Sequence, residues 1–586
     1  MPFSNRTAAL CVALFAACAL LTFGGILKNA FVTLDDNYLI YENPVITRIT
    51  PGTIKHVFTT FDPELYDPLT FITYQIDYQI GGLNPAVYHA QNLAWHTINA
   101  LLVAWVLWEL FGNVAIAILL GLLYLAHPLN TEAVAWAAAR KDVLSTFFFL
   151  SSLLAYIRYR ATSVTRTYWV SVGLFFLGLL SKVSVVTLPI ALLLIDWREG
   201  RRIDRDSMQE KVAYVIPAVV FGIIALFGKT NALAVTTLAQ KILMAFMTTW
   251  FTFLSFLVPT KLSILYPFTG AVSLASPHIL TAIVAVCILV TLALVSLRRT
   301  REIAFGLGFF LVTLAPVFVN FAKGNEIYMG SDRYGYIPMI GLLSIIAYVL
   351  VQTAQRGRTW MFAGNVVMGI LAVVGAVAAS VQAATWRDSE TLFSNVLVNY
   401  PNSLTARNNL GMAYLAQGKS DKALAEFNAL LEKKEWPITL VNRGLTKFRQ
   451  GDNAGAIADY TRAMELDPMF YDSYYELGNI AYRSGNLTSA IDLYKKAHAL
   501  KPQYTNALNN LGAAQIQMQQ WNEAAQTFRD LIALNPLFVE AYYNLAVIDE
   551  QTGNKQEAIG MYTQALRLNP NDADATKGLA RARLMR

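Results

Sequence analysis

Apolar residues gather in long runs from the first residues to about Val381, after which polar and charged positions take over. The runs that could cross a membrane are Ala8–Leu27, Val87–Leu110, Val114–Ala126, Val143–Tyr159, Trp169–Leu180 and Val183–Ile195. They continue at Val212–Phe227, Ile242–Val258, Ile279–Leu297, Ile303–Phe321, Tyr336–Val351 and Trp360–Val381. A comfortable crossing takes about 20 residues, so the shortest runs need tilt, longer true boundaries or a thinner membrane. Met1–Leu27 has the look of a signal peptide, but its apolar run exceeds a usual h-region and lacks a convincing cleavage site, so it reads as a retained span.

A different period governs the tail. Gly444, Gly478 and Gly512 recur every 34 residues, with Gly411 one unit earlier and Ala546 in the next slot. Ala456, Ala490, Ala524 and Ala558 keep the same register, as do Tyr460, Tyr494, Phe528 and Tyr562. Pro468, Pro502, Pro536 and Pro570 close the units. Small residues where two helices cross, an aromatic filling the gap and a closing proline form the tetratricopeptide pattern. Five such units predict an α-solenoid whose concave face takes an extended peptide. The expected fold is therefore all-α, with a polytopic membrane domain over 1–400 and a repeat domain over 401–586.

Composition agrees with that division. The 586 residues are 55% hydrophobic and 15% charged, against about 25% charged in ordinary soluble domains. The net charge of +7 is dispersed through short loops between apolar runs, which suits membrane orientation and excludes a nucleic-acid partner. Cys11, Cys18 and Cys287 all lie in apolar segments, so neither a disulfide framework nor a zinc spacing is present. Four basic clusters decide sidedness: Arg158/Arg160/Arg166, Arg198/Arg201/Arg202/Arg205, Arg298/Arg299/Arg301 and Arg356/Arg358. All four fall in the cytoplasm if the N-terminus is inside, Trp169–Ile195 crosses twice and Ile242–Val258 does not cross. About 11 spans result, with the repeats on the external side, periplasmic or luminal.

This topology gathers the polar clusters on one side. Asp35 and Asp36 follow the first span; His127 to Glu132, Arg140 to Asp142, Ser181-Lys182, Lys323 to Glu326 and Ser331 to Tyr334 join them. One carboxylate of the pair could accept a proton from a hydroxyl while the other orients it or holds a cation. If the pair lies in an extended segment, its members point to opposite faces; Asp36 is the expected base, Asp35 the loop holder, with the inward face left open. On the second span His89, Asn92, His96 and Asn99 make one stripe, equally suited to a site and to gluing helices together. Carboxylates beside arginine and lysine suit a hydroxyl acceptor and a phosphate-bearing donor.

The stretches Leu34-Asp-Asp-Asn-Tyr-Leu-Ile-Tyr-Glu-Asn-Pro44, His127-Pro-Leu-Asn-Thr-Glu-Ala-Val-Ala-Trp136, Arg140-Lys-Asp-Val-Leu144, Gly178-Leu-Leu-Ser-Lys182 and Asp332-Arg-Tyr-Gly-Tyr-Ile-Pro338 resemble the transmembrane and tetratricopeptide O-mannosyltransferase-like family. Arg140-Lys-Asp-Val-Leu-Ser145 is nearer in flavour to bacterial members, which implies a bacterial inner membrane. The resemblance implies a GT-C helical core, a polyprenyl-phosphate sugar as donor, an inverting reaction and Ser or Thr of an acceptor protein as target. It also implies Asp35 or Asp36 as base and Arg333 and Lys182, with Arg140 and Lys141 beside them, as donor-phosphate contacts. His89, His96, His127 and Glu132 would line the pocket, and a divalent metal is compatible with the acidic pair. Two other functions fit the same features: a transferase acting on an envelope glycan or lipid, and a non-catalytic scaffold that presents the repeats.

Overall fold

The computed structural model describes residues 5–61, 66–228, 236–323 and 326–584. Gly324 and Asn325, part of the polar Lys323 to Glu326 stretch, lie outside them. The described chain is helical almost throughout; among its residues a two-stranded antiparallel ribbon pairs Ala322–Lys323 with Glu326–Ile327. Chain contacts divide it into Met1–Ala406 and Arg407–Arg586.

Among the described residues of the first unit, five helices are long and apolar enough to cross a membrane: Arg6–Lys28, Pro85–Phe111, Arg205–Phe227, Pro277–Ser296 and Arg358–Ala384. A sixth is possible if Val114–Ala126 and Pro128–Ala135, bent by 52°, count as one broken span. Glu302–Val317 and Met339–Gln355 are apolar but shorter, so length and composition alone do not reach about eleven crossings. The bend has a local cause. Pro128 disfavours helical geometry at His127, which is extended at φ −71° and ψ 125°. The His127 ring then accepts the Leu129 N–H at 3.2 Å, opening a new turn in a different direction. That turn carries Glu132 and Trp136 into the protein, where both are buried.

The second unit holds five helix pairs, beginning with the helix Leu404–Ala416 and its partner Ser420–Leu431 and ending with Val539–Gln551 and Lys555–Leu568, followed by Ala573–Leu584. The recurring glycines are required by close approach: a Cβ on Gly444 would stand 2.5 Å from the Tyr460 ring, and one on Gly512 2.5 Å from Phe528. The second helices end at Leu466, Leu500, Leu534 and Leu568, just before the recurring prolines, because the residue preceding a proline resists helical backbone.

Candidate functional site

The loop after the first span does not run extended. Thr33 to Asp35 form a turn, and Asp36 is helical at φ −61° and ψ −30°, leading into a short π-helical turn over Asn37–Tyr41. The turn still divides the pair. Asp36 is buried, and its two oxygens accept the N–H groups of Val32 and Ala138, each at 2.9 Å. Burial, the largest influence, pushes the Asp36 carboxyl up to about 7 despite those two hydrogen bonds. Asp35 is half-buried, and its charge acts on Arg333. The segment is anchored at its base, where Ala30 N–H donates to the Arg387 carbonyl at 2.9 Å and Thr33 N–H to the Ser389 hydroxyl at 2.8 Å.

Arg333 sits in a cage. Glu132 pairs with its guanidinium and accepts its backbone N–H at 3.2 Å, while Ser331 donates to the same carboxylate at 2.6 Å. The guanidinium lies 5.0 Å from the centre of the Trp136 ring and 5.3 Å from Tyr334. Gly335 allows the loop to approach this closely, since a Cβ there would stand 2.6 Å from Leu129. The neighbouring Asp332 takes the Tyr266 hydroxyl at 2.5 Å; burial, then repulsion from Glu132, hold its carboxyl well above the usual carboxylate range.

Lys182 joins from the end of the helix Thr165–Ser181 and pairs with Asp142. The other Asp142 oxygen lies 4.0 Å from Arg333 Nε. Burial lowers the Lys182 ammonium's proton affinity, and Asp142 opposes that shift. Lys141 is buried beside them, with no hydrogen-bonded or ion-paired side-chain partner among the described residues. Lys141, Asp142, Lys182, Glu132 and Arg333 therefore form one charged cluster, with Asp35 near enough for its charge to act on Arg333, and Asp142 was not singled out as a site residue from sequence. Its place in the first helical turn directly after Arg140-Lys141 was the signal available.

Arg140, His96 and His127 serve the packing. Arg140 is fully buried; it pairs with Asp77 at 2.8 Å, binds Asn92, and donates to the Tyr88 carbonyl at 2.8 Å. A guanidinium so committed has no donor left to turn toward a lipid phosphate, and Arg140 does not join the cluster. His96 accepts from the Tyr336 hydroxyl at 2.7 Å and donates to the Leu125 carbonyl at 3.0 Å. Asn92 and Asn99 donate to the carbonyls of Trp136 and Val143. The polar stripe of Pro85–Phe111 thus glues helices together, with His89 buried on the same helix. His127 donates to the Phe256 carbonyl at 3.1 Å and stacks on that ring.

The cluster's donor set does not fit a divalent cation. Asp36 is taken by backbone N–H groups, Glu132 by Arg333 and Ser331, and Asp142 by Lys182. Among the described residues no three His, Cys, Asp or Glu side chains are grouped to hold a metal ion.

A helical hydrophobic unit followed by paired-helix units is the architecture of a membrane-associated protein bearing tetratricopeptide repeats. The family profile "Tetratricopeptide repeat" matches residues 380–437, 441–505, 509–573 and 550–586. Similar curated proteins are named protein O-mannosyl-transferases. TMTC1 of Homo sapiens is 31% identical over 156 residues, 25% of this chain and 18% of that protein. Tmtc2 of Xenopus laevis is 38% identical over 97 residues, 17% of this chain and 12% of that protein. TMTC4 of Homo sapiens is 29% identical over 168 residues, 24% of this chain and 23% of that protein. The chain thus spans between 12% and 23% of these relatives' length. Among solved structures, MamA is 25% identical, covering 28% of this chain and 96% of its own, with a TM-score of 0.26. A thermophilic tetratricopeptide protein of Thermus thermophilus is 23% identical, covering 31% and 100% respectively, with a TM-score of 0.26.

Proposed function

We propose that this chain is a GT-C-type inverting glycosyltransferase that moves a sugar from polyprenyl phosphate to Ser or Thr of an acceptor protein. The relatives' names point to mannose. The observation that carries the reading is the meeting of Arg333, Lys182 and Lys141 around Asp142, with the charge of Asp35 close enough to act on Arg333. The acceptor hydroxyl attacks the anomeric carbon and gives its proton to Asp35. The bond from that carbon to the phosphate oxygen breaks, and the leaving phosphate keeps the electron pair. It departs as a phosphate monoester, so cations stabilise it and no general acid is needed, unlike in a glycosidase. Asp36 holds the loop, since both of its oxygens are occupied by backbone N–H groups. This reverses the order expected from an extended segment. Glu132 positions Arg333, and His96 and His127 brace the surrounding helices.

The repeats would recruit the acceptor. The chain would cross a bacterial inner membrane about eleven times, N-terminus in the cytoplasm, with loops and repeats outside; the positive-inside distribution supports this. A reporter fused after Arg586 that works only in the cytoplasm should stay dark, and a bright signal would overturn the topology. Activity is tested by incubating purified protein with radiolabelled polyprenyl-phosphate mannose and a Ser/Thr-rich polypeptide. Label in the polypeptide is the expected result. Mass spectrometry of glycoproteins and glycolipids from a deletion strain separates this from transfer to an envelope glycan.

A further inference from the structure

Glu132 and Asp142 both face the cations of the cluster, but they are held differently. Glu132 is bound at three points, to Ser331 Oγ, to the Arg333 backbone and to its guanidinium. Asp142 has one close partner, Lys182, and only a 4.0 Å approach to Arg333. Its second oxygen is buried with no hydrogen bond among the described residues. A buried carboxylate oxygen without a donor costs free energy, so this contact is the weaker of the two. Asp142 also lies between the two cations assigned to the donor's phosphate, one residue from Lys141.

We infer that Asp142 is a displaceable stand-in for the donor's phosphate, holding Lys182 and Arg333 together until the lipid phosphate takes its place. The inference rests on the function proposed above. A carboxylate and a phosphate oxygen present similar charge and acceptor geometry to an ammonium and a guanidinium. With Asp142 seated, the partly buried Lys182 keeps a counter-charge between turnovers. When the donor binds, the phosphate gains Lys182 and the Asp142 side of Arg333, while Glu132 keeps the guanidinium in position. After transfer the phosphate monoester carries more negative charge than the donor's diester did. Return of Asp142 to Lys182 then favours its release. Asp142 is thus a positioning residue that weakens phosphate binding in exchange for turnover.

The test uses the full-length protein in detergent, with farnesyl phosphate as the probe. Calorimetric titration of Asp142→Asn should show binding tighter than wild type on the order of tenfold. In the transfer assay the same variant should lower both donor KM and kcat, because release becomes slow. Asp142→Ser, which removes the charge with a smaller polar side chain, is a second variant read in the same way if the first does not fold. Unchanged or weaker farnesyl phosphate binding by a folded variant, with wild type binding normally, overturns the inference alone. Wild-type protein that fails to bind farnesyl phosphate overturns the donor assignment itself, and the inference with it.

Discussion

Glu132 grips Arg333 at both ends: one carboxylate oxygen pairs with the guanidinium, and the other accepts the backbone N–H of the same residue at 3.2 Å. The two residues come from stretches far apart in sequence, so this contact closes two polar loops on each other. Removing one partner of a buried pair typically costs about 3–5 kcal/mol. Glu132→Gln keeps an acceptor but loses the charge, and it should lower the melting temperature measurably. Because the guanidinium is then free to swing, donor KM should rise more than acceptor KM. A variant that loses stability but shows equal effects on both substrates would reduce Glu132 to a structural brace.

Arg333→Ala should likewise impair donor use more than acceptor use, since guanidinium recognises phosphate bidentately. Arg333→Lys should restore little, because a lysine cannot reproduce the fork that meets Glu132 and a phosphate together. Steady-state kinetics with each substrate varied separately decides it. Equal loss toward both substrates would favour a snorkelling interfacial role.

Asp36 makes a prediction about pH. Its carboxyl, ordinarily near 3.8, is raised to about 7 in the folded protein, mainly by burial. Between those values the folded state holds the proton more tightly than the unfolded state, so the native state binds more protons. Stability from this group is therefore fully present below its unfolded pKa and is lost as pH rises through its folded one. Comparing wild type with Asp36→Asn isolates the contribution: wild type should lose melting temperature relative to the variant between about pH 4 and pH 7. The variant should also be less stable at acid pH, since its NH2 group faces a backbone donor. Parallel curves across that range would contradict a buried, proton-binding Asp36.

The repeats were legible because every unit repeats the same two local contacts, a small residue against an aromatic and a proline after a helix. The charged cluster was only half legible. Arg140 looked as available as Lys182 because nothing in Arg140-Lys141-Asp142 shows that Asp77 lies against its guanidinium. His96 looked like a site residue because its partner, the Tyr336 hydroxyl, is 240 residues away. Extended geometry separated the roles of Asp35 and Asp36 but left open which faces inward, and only the turn over Thr33 to Asp35 shows that Asp36 is the buried one.

The repeats also carry a local strain. Gly418, Gly451, Gly485 and Gly553 occupy the turn between paired helices with φ from 74° to 87°. Gln519 takes the same slot at φ 57°, where a Cβ is disfavoured by roughly 1–2 kcal/mol. Gln519→Gly should slow hydrogen exchange in Thr505–Gln517 and Trp521–Leu534 in the full-length protein. The gain should be below about 1 kcal/mol, because glycine also loosens the unfolded chain. Faster exchange would mean that Gln519 contributes contacts outweighing its strain.

The most direct measurement is the transfer rate of Asp35→Asn beside that of Asp36→Asn, each checked for intact assembly in the membrane. Asparagine keeps the shape of the side chain but cannot take the acceptor's proton. Asp35→Asn should assemble normally and lose roughly 10²–10⁴ in rate, the usual share of a general base. Asp36→Asn should lose less rate, and its loss of stability should show at acid pH. A folded Asp35→Asn enzyme working at the wild-type rate would contradict Asp35 as the base. Both variants at that rate would contradict a transferase built on this loop and favour a scaffold that presents the repeats.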